Sequence, residues 1–138
     1  KRFAGTACYT ITFDAPGPSA AQKASHWILD LGRVCETARV RLNDRDLGTV
    51  FARPFRVKLP AGVLEPKGNV LAIEVTNLSA NRIRDLDLRG VRWRIFHDIN
   101  FVNIDYRPFD ASKWPLADSG LLGPVTLRPA EKFDPARR

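Results

Sequence analysis

Apolar and polar residues alternate with a period of two over much of the chain, the signature of half-buried strands. Tyr9-Thr10-Ile11-Thr12-Phe13 puts large apolar side chains on one face and threonines on the other. It ends in the turn-rich stretch Asp14-Ala15-Pro16-Gly17-Pro18-Ser19. Residues 20–25 allow a helical turn but carry no apolar stripe. Strands are then predicted at Trp27 to Leu31, closed by Gly32, and at Ala38 to Leu42. The polar cluster Asn43-Asp44-Arg45-Asp46 turns the second of these into Leu47 to Phe51, a hairpin. Phe55 to Leu59 alternates strictly, with Pro54 at its start. Asn69 to Thr76 is the strongest strand. Leu71, Ile73 and Val75 share one face, and Val70 and Ala72 on the other suggest a central position.

From Asn77 to Ser119 the alternation fails. The segment is aromatic and rich in Arg, Asn and Asp, and only Val91 to Phe96 reads as a strand of any length. Order returns at Leu121 to Leu127, a last strand, and the tail 131–138 is expected to fray. About 7–9 short strands at turn-punctuated spacing predict an all-β, jelly-roll β-sandwich with one long irregular loop, roughly 77–119. Residues 1–130 are expected to form a single sandwich module. A long unpatterned loop inside a compact domain is usually functional or docks against another surface.

Composition narrows the classes. The 138 residues suit one core, and 44% hydrophobic with 27% charged residues is globular rather than disordered. No run approaches the ~20 apolar residues of a membrane span. The chain opens on Lys1-Arg2-Phe3 without a visible signal peptide and lacks Met, so a fragment or a processed form is expected. A net charge of +7 can attract polyanions. The arginines, however, are interleaved with apolar and acidic residues, and no helix-turn-helix or RNA-binding motif is present. A solvated face is the simpler account, and nucleic acid is not an expected partner. Cys8 and Cys35 cannot make a zinc site alone, and the pair is compatible with a disulfide or with two free thiols.

The run from Trp27 to Asn81 resembles the sugar-binding type of β-sandwich found in glycoside hydrolase family 2 and related enzymes. The resemblance rests on LDLG, ARVRLNDRDLGTV, PFRVKLPAGVL and GNVLAIEVTN in that order. NRIRDLDLRG and DSGLLGPVTL look more like the C-terminal module of family 106 α-L-rhamnosidase-like enzymes. Together they extend from Gly5-Thr6-Ala7 to Leu127 and imply a galactose-binding-like fold. They also imply a bacterial, secreted or periplasmic setting, and a parent enzyme whose catalytic carboxylates lie in a separate barrel domain. A structural Ca²⁺ occurs in similar sandwiches, but no D-x-D-x-D-G loop is present, and no other cofactor is implied; metal ligands are unassigned.

Catalysis by this chain is not expected, and no catalytic residue is assigned. Glycoside hydrolysis needs two carboxyls about 5–10 Å apart, for which Asp85 with Asp87, or Asp98 with Asp105, are candidates only on paper. Nucleophile, phosphate-loop and zinc-hydrolase motifs are absent. Carbohydrate recognition fits better, because a pyranose wants an aromatic platform and fixed polar groups. Trp93 or Tyr106 could stack, while His97, Asp98, Asn100, Asn103 and Asp105 could hydrogen-bond. Arg82 and Arg84 could clamp a uronic acid carboxylate. Equally, these residues could merely anchor the loop or pack against a parent catalytic domain. The expectation is a carbohydrate-binding or accessory module for rhamnose-containing or acidic polysaccharide. A purely structural domain and a charge-driven polyanion binder are the alternatives.

Overall fold

A computed structural model of the chain describes residues 2–17, 26–96 and 102–130. The proposed helical turn at 20–25 and the tail 131–138 lie outside the described residues. Nine strands and one helix form among the described residues. They divide into two compact units, one of Thr6–Asn77 with Ser119–Arg138 and one of Lys1–Gly5 with Leu78–Asp118.

The first unit is an all-β, antiparallel sandwich. Its larger sheet runs β1-β7-β4-β5, from β1 (Thr6–Phe13), β4 (Thr37–Leu42), β5 (Arg45–Val50) and β7 (Asn69–Thr76). A second sheet runs β6-β2-β9, from β2 (His26–Asp30), β6 (Arg56–Leu59) and β9 (Thr126–Ala130). A two-stranded ladder joins β3 (Arg33–Cys35) to β8 (Gly120–Gly123). As the alternation of β7 predicts, this strand is central, paired to β1 and to β4. Its Leu71, Ile73 and Val75 are buried with Val40 and Leu42 of β4 against Leu29, Val57 and Leu59 of the second sheet. Burying each such side chain stabilises the fold by roughly 1.5–3 kcal/mol.

The β4–β5 hairpin turns through Asn43 and Asp44, both left-handed with φ of 51° and 61°, which matches the twist of the strands. Asn43 also anchors the sheet end. Its amide donates to the Val63 carbonyl at 2.8 Å and to Asn69 Oδ1 at 3.0 Å. Asn69 is fully buried, yet its oxygen accepts from the Glu65 N–H and its amide donates to the Glu65 and Phe13 carbonyls. A buried amide satisfied on every side specifies register at little net cost. At the opposite end Asp30 accepts from the Gly32 N–H at 2.9 Å and from Arg56 at 2.8 Å. Those two bonds outweigh burial and hold its carboxyl below the ordinary value. Gly32, at φ 65°, lies so close to Gly123 that a Cβ would sit 2.4 Å from the Gly123 carbonyl group.

Three sequence expectations need correction. Residues 121–127 are not one strand, because β8 ends at Gly123 and β9 starts at Thr126. Val91 to Phe96 forms no strand. Part of the supposedly irregular 77–119 segment is a helix, α1 (Ala80–Leu88). Cys8 and Cys35 are free thiols, one exposed and one buried.

Candidate functional site

The unit containing Leu78–Asp118 carries most of the predicted site, and its construction explains where those residues went. Asn77 and Ser119, the sandwich residues flanking it, are joined side chain to side chain at 2.6 Å. Helix α1 ends in a Schellman motif: the Gly90 N–H donates to the Asp87 carbonyl and the Val91 N–H to the Leu86 carbonyl, with Gly90 left-handed at φ 64°.

One face of α1 is polar. Asn81, Arg84 and Asp87 follow at intervals of three and therefore line up along the helix. Each holds a main-chain position of the segment that returns antiparallel to them. Asn81 pairs reciprocally with the Ala117 carbonyl and N–H, at 2.8 and 2.9 Å. Arg84 donates to the Trp114 carbonyl at 2.7 Å, and Asp87 accepts from the Ala111 N–H at 2.8 Å. Three helical residues rise about 4.5 Å, and the return segment matches this by turning, with the Trp114 N–H donating to the Ala111 carbonyl.

Asp87 is the hub. Its side chain is only 5% exposed and also accepts from the Trp93 indole N–H at 2.7 Å and from Arg94 at 2.8 Å. Burial pushes its carboxyl up, but the Ala111, Trp93 and Arg94 donors outweigh burial and hold it below the ordinary value. Phe109 meets Trp93 and Trp114 edge-to-face, at 6.1 and 5.4 Å, and the Arg94 guanidinium lies over both Trp93 and Phe109.

Described residues of this unit line at least two open clefts. One, of about 470 Å³, is lined by Asp87, Gly90, Val91, Arg92, Trp93, Arg94 and Asp110. The other, of about 490 Å³, is lined by Arg2, Phe3, Ala4 and Arg82. In the first, Asp110 is also held below its ordinary value, by the hydroxyl and N–H of Ser112. A glycosidase acid needs a raised carboxyl. Neither carboxyl in this cleft meets that need.

The predicted residues are thus dispersed. Trp93 lines one cleft and Arg82 the other, while Arg84 is committed to a main-chain carbonyl. Arg2 lines the same cleft as Arg82. Asn103 shapes its own turn: its side-chain oxygen accepts from the Asp105 and Arg107 N–H groups. Tyr106 in that turn is left-handed at φ 55° and 78% exposed, and Asp105 is exposed. His97, Asp98 and Asn100 lie outside the described residues. Arg2, Phe3, Asn81 and Asp110 were not singled out from sequence. The three-residue spacing of Asn81, Arg84 and Asp87 was the available signal. Among the described residues no group of three His, Cys, Asp or Glu could hold a metal ion, and no helix is long and apolar enough to cross a membrane.

No family model matches the chain. It is 32% identical over 144 aligned positions to a Formosa agariphila protein named "Putative beta-glucuronidase", covering 92% of this chain and 12% of that protein. The solved structure of a rhamnosidase from Novosphingobium sp. PP1Y is similar over 91% of this chain, at 30% identity and a TM-score of 0.67. Only 11% of the rhamnosidase is involved. The chain therefore spans about an eighth or less of the relatives it matches.

Proposed function

We propose that the chain is a non-catalytic accessory module of a bacterial polysaccharide-degrading glycoside hydrolase of the rhamnosidase-like kind. One observation carries the reading: nearly the whole chain superposes on a small segment of a rhamnosidase. The two lowered carboxyls in the Trp93 cleft agree with a part that binds or supports rather than cleaves. A galactose-binding-like jelly roll and a secreted or periplasmic location belong to the same proposal.

In this role the Trp93 cleft receives carbohydrate. The half-buried indole offers a flat apolar surface for the C–H face of a sugar ring. Arg92, Arg94 and Asp110 ring it with donors and acceptors for hydroxyls. Titration of the 138-residue chain with rhamnose-containing oligosaccharides, read by tryptophan fluorescence and calorimetry, tests this. Saturable binding lost in Arg92→Ala is the expected result. Bond cleavage by the isolated chain would overturn the non-catalytic assignment.

A second reading has its own observation. Ile95 and Ile104 are 85% and 94% exposed, and Phe96 and Tyr106 are also exposed, all on the same unit. That amount of exposed apolar surface suits packing against another domain of the parent enzyme. Retention of the chain by the separately produced catalytic domain, lost in Ile104→Asp, would support this role; no retention would count against it.

A further inference from the structure

The second cleft has a different chemistry from the Trp93 cleft. Arg2 and Arg82 both line it, with Phe3 and Ala4 between them, and its lining holds no acidic side chain. Arg82 stands in the first turn of α1, which carries no acidic residue, and no ion pair engages either arginine among the described residues. Five other arginines are ion-paired: Arg39 with Asp46, Arg41 with Glu74, Arg56 with Asp30, Arg89 with Asp85 and Arg94 with Asp87. Two guanidinium groups on one concave surface without a counter-charge form a locus of positive potential. A planar oxyanion fits the donor forks of such groups.

Phe3 selects among anions. Its ring is 56% exposed at the same cleft and offers an apolar surface next to the charges. A free inorganic ion has no use for that surface. A sugar ring carrying an acidic substituent uses both parts, C–H face on the phenyl ring and oxyanion between the guanidiniums. We infer that the Arg2–Phe3–Arg82 cleft is a binding site for the acidic group of a charged saccharide, carboxylate or sulfate, separate from the Trp93 cleft. The inference rests on the carbohydrate-binding part of the proposed function and gives it a ligand class.

The test is calorimetry of the 138-residue chain at one fixed ionic strength with three probes: an oligogalacturonate, a sulfated galactose oligomer and a neutral galactose oligomer. Binding of the carboxylated or the sulfated probe, weakened about tenfold or more in Arg82→Ala and in Arg2→Ala, is expected from the loss of charge-assisted hydrogen bonds. Which acidic probe binds identifies the substituent. Alanine at position 82 keeps the helix, so a folding defect does not confuse the reading. Arg45→Ala, in the β4–β5 hairpin, is the control for diffuse attraction. Loss in that variant as large as in Arg82→Ala overturns the inference, as does acidic-probe binding indifferent to both cleft variants. Binding confined to the neutral probe overturns the inference and leaves the proposed function standing. If none of the three probes binds, the inference falls, and the carbohydrate-binding part of the proposed function is decided by the rhamnose-containing oligosaccharides.

Discussion

The two compact units of this chain are held by different forces. The sandwich buries a continuous set of Leu, Ile, Val and Phe side chains between its sheets, with polar groups confined to latches such as Asn69 and Asp30. The helical unit has Ala111 as its buried apolar residue among the described ones, and Ile95 and Ile104 stay outside. It is organised by a carboxylate, an amide and a guanidinium that hold main-chain atoms, with three aromatic rings in edge contact. Apolar burial is non-directional and tolerates substitution, whereas a buried hydrogen-bonded charge fails sharply when a single partner is removed.

Substitutions can break that contrast. The largest effect is expected from Gly32→Ala in the sandwich. The new Cβ meets the Gly123 backbone at a left-handed φ, so the loss is about 4 kcal/mol or a failure to fold, measured by denaturant unfolding. Next is Asp87→Ala, which leaves the Ala111 N–H, the Trp93 indole and Arg94 without their acceptor. A local loss of about 3 kcal/mol is expected. Amide exchange at Ala111 and Ala117 should accelerate while that of Leu71 and Ile73 is retained; equal acceleration in both units would erase the distinction. Asn69→Ala should cost the sandwich about 2 kcal/mol by stranding main-chain groups at 13 and 65, read as a shifted unfolding midpoint.

Acid should act on both units in the same direction. Asp30 and Asp87 are each held below the ordinary value of 3.8, so each adds stability above about pH 4. That stability disappears as the pH falls through the lowered folded-state values. Asp87→Asn should reduce the acid sensitivity of the helical unit, followed by the exchange of Ala111, to the part that Asp110 contributes, and leave that of the sandwich. The smallest effect is expected at Lys113→Ala, on the outside of the return segment. A change of the unfolding midpoint beyond error there would show that side chains, and not only main-chain atoms, hold the segment.

The same contrast explains what was legible in sequence. Strands β4, β6 and β7 announce themselves because every second residue is buried, and the Asn43-Asp44 turn has the chemistry its backbone demands. Strand β3 is three residues long and too short to show alternation. Helix α1 shows no apolar stripe by which sequence could announce it, because the face that it presents to the return segment is Asn81, Arg84 and Asp87. Asn103 and Trp93 were recognised as polar and aromatic resources, but sequence does not say whether such groups are spent on ligand or on the protein's own backbone. The Arg2–Arg82 cleft joins residues eighty positions apart, which no local pattern brings together.

The three-step ladder between α1 and residues 111–117 has a bearing on how this unit can change over time. Its rungs end on N–H and C=O groups, which every residue but proline supplies alike. Lys113, Pro115 and Leu116 are therefore open to replacement, whereas a proline at 111 or 117 would remove a rung and a single deletion between them would put the rungs out of step. Drift can rewrite the outer surface while the spacing stays fixed.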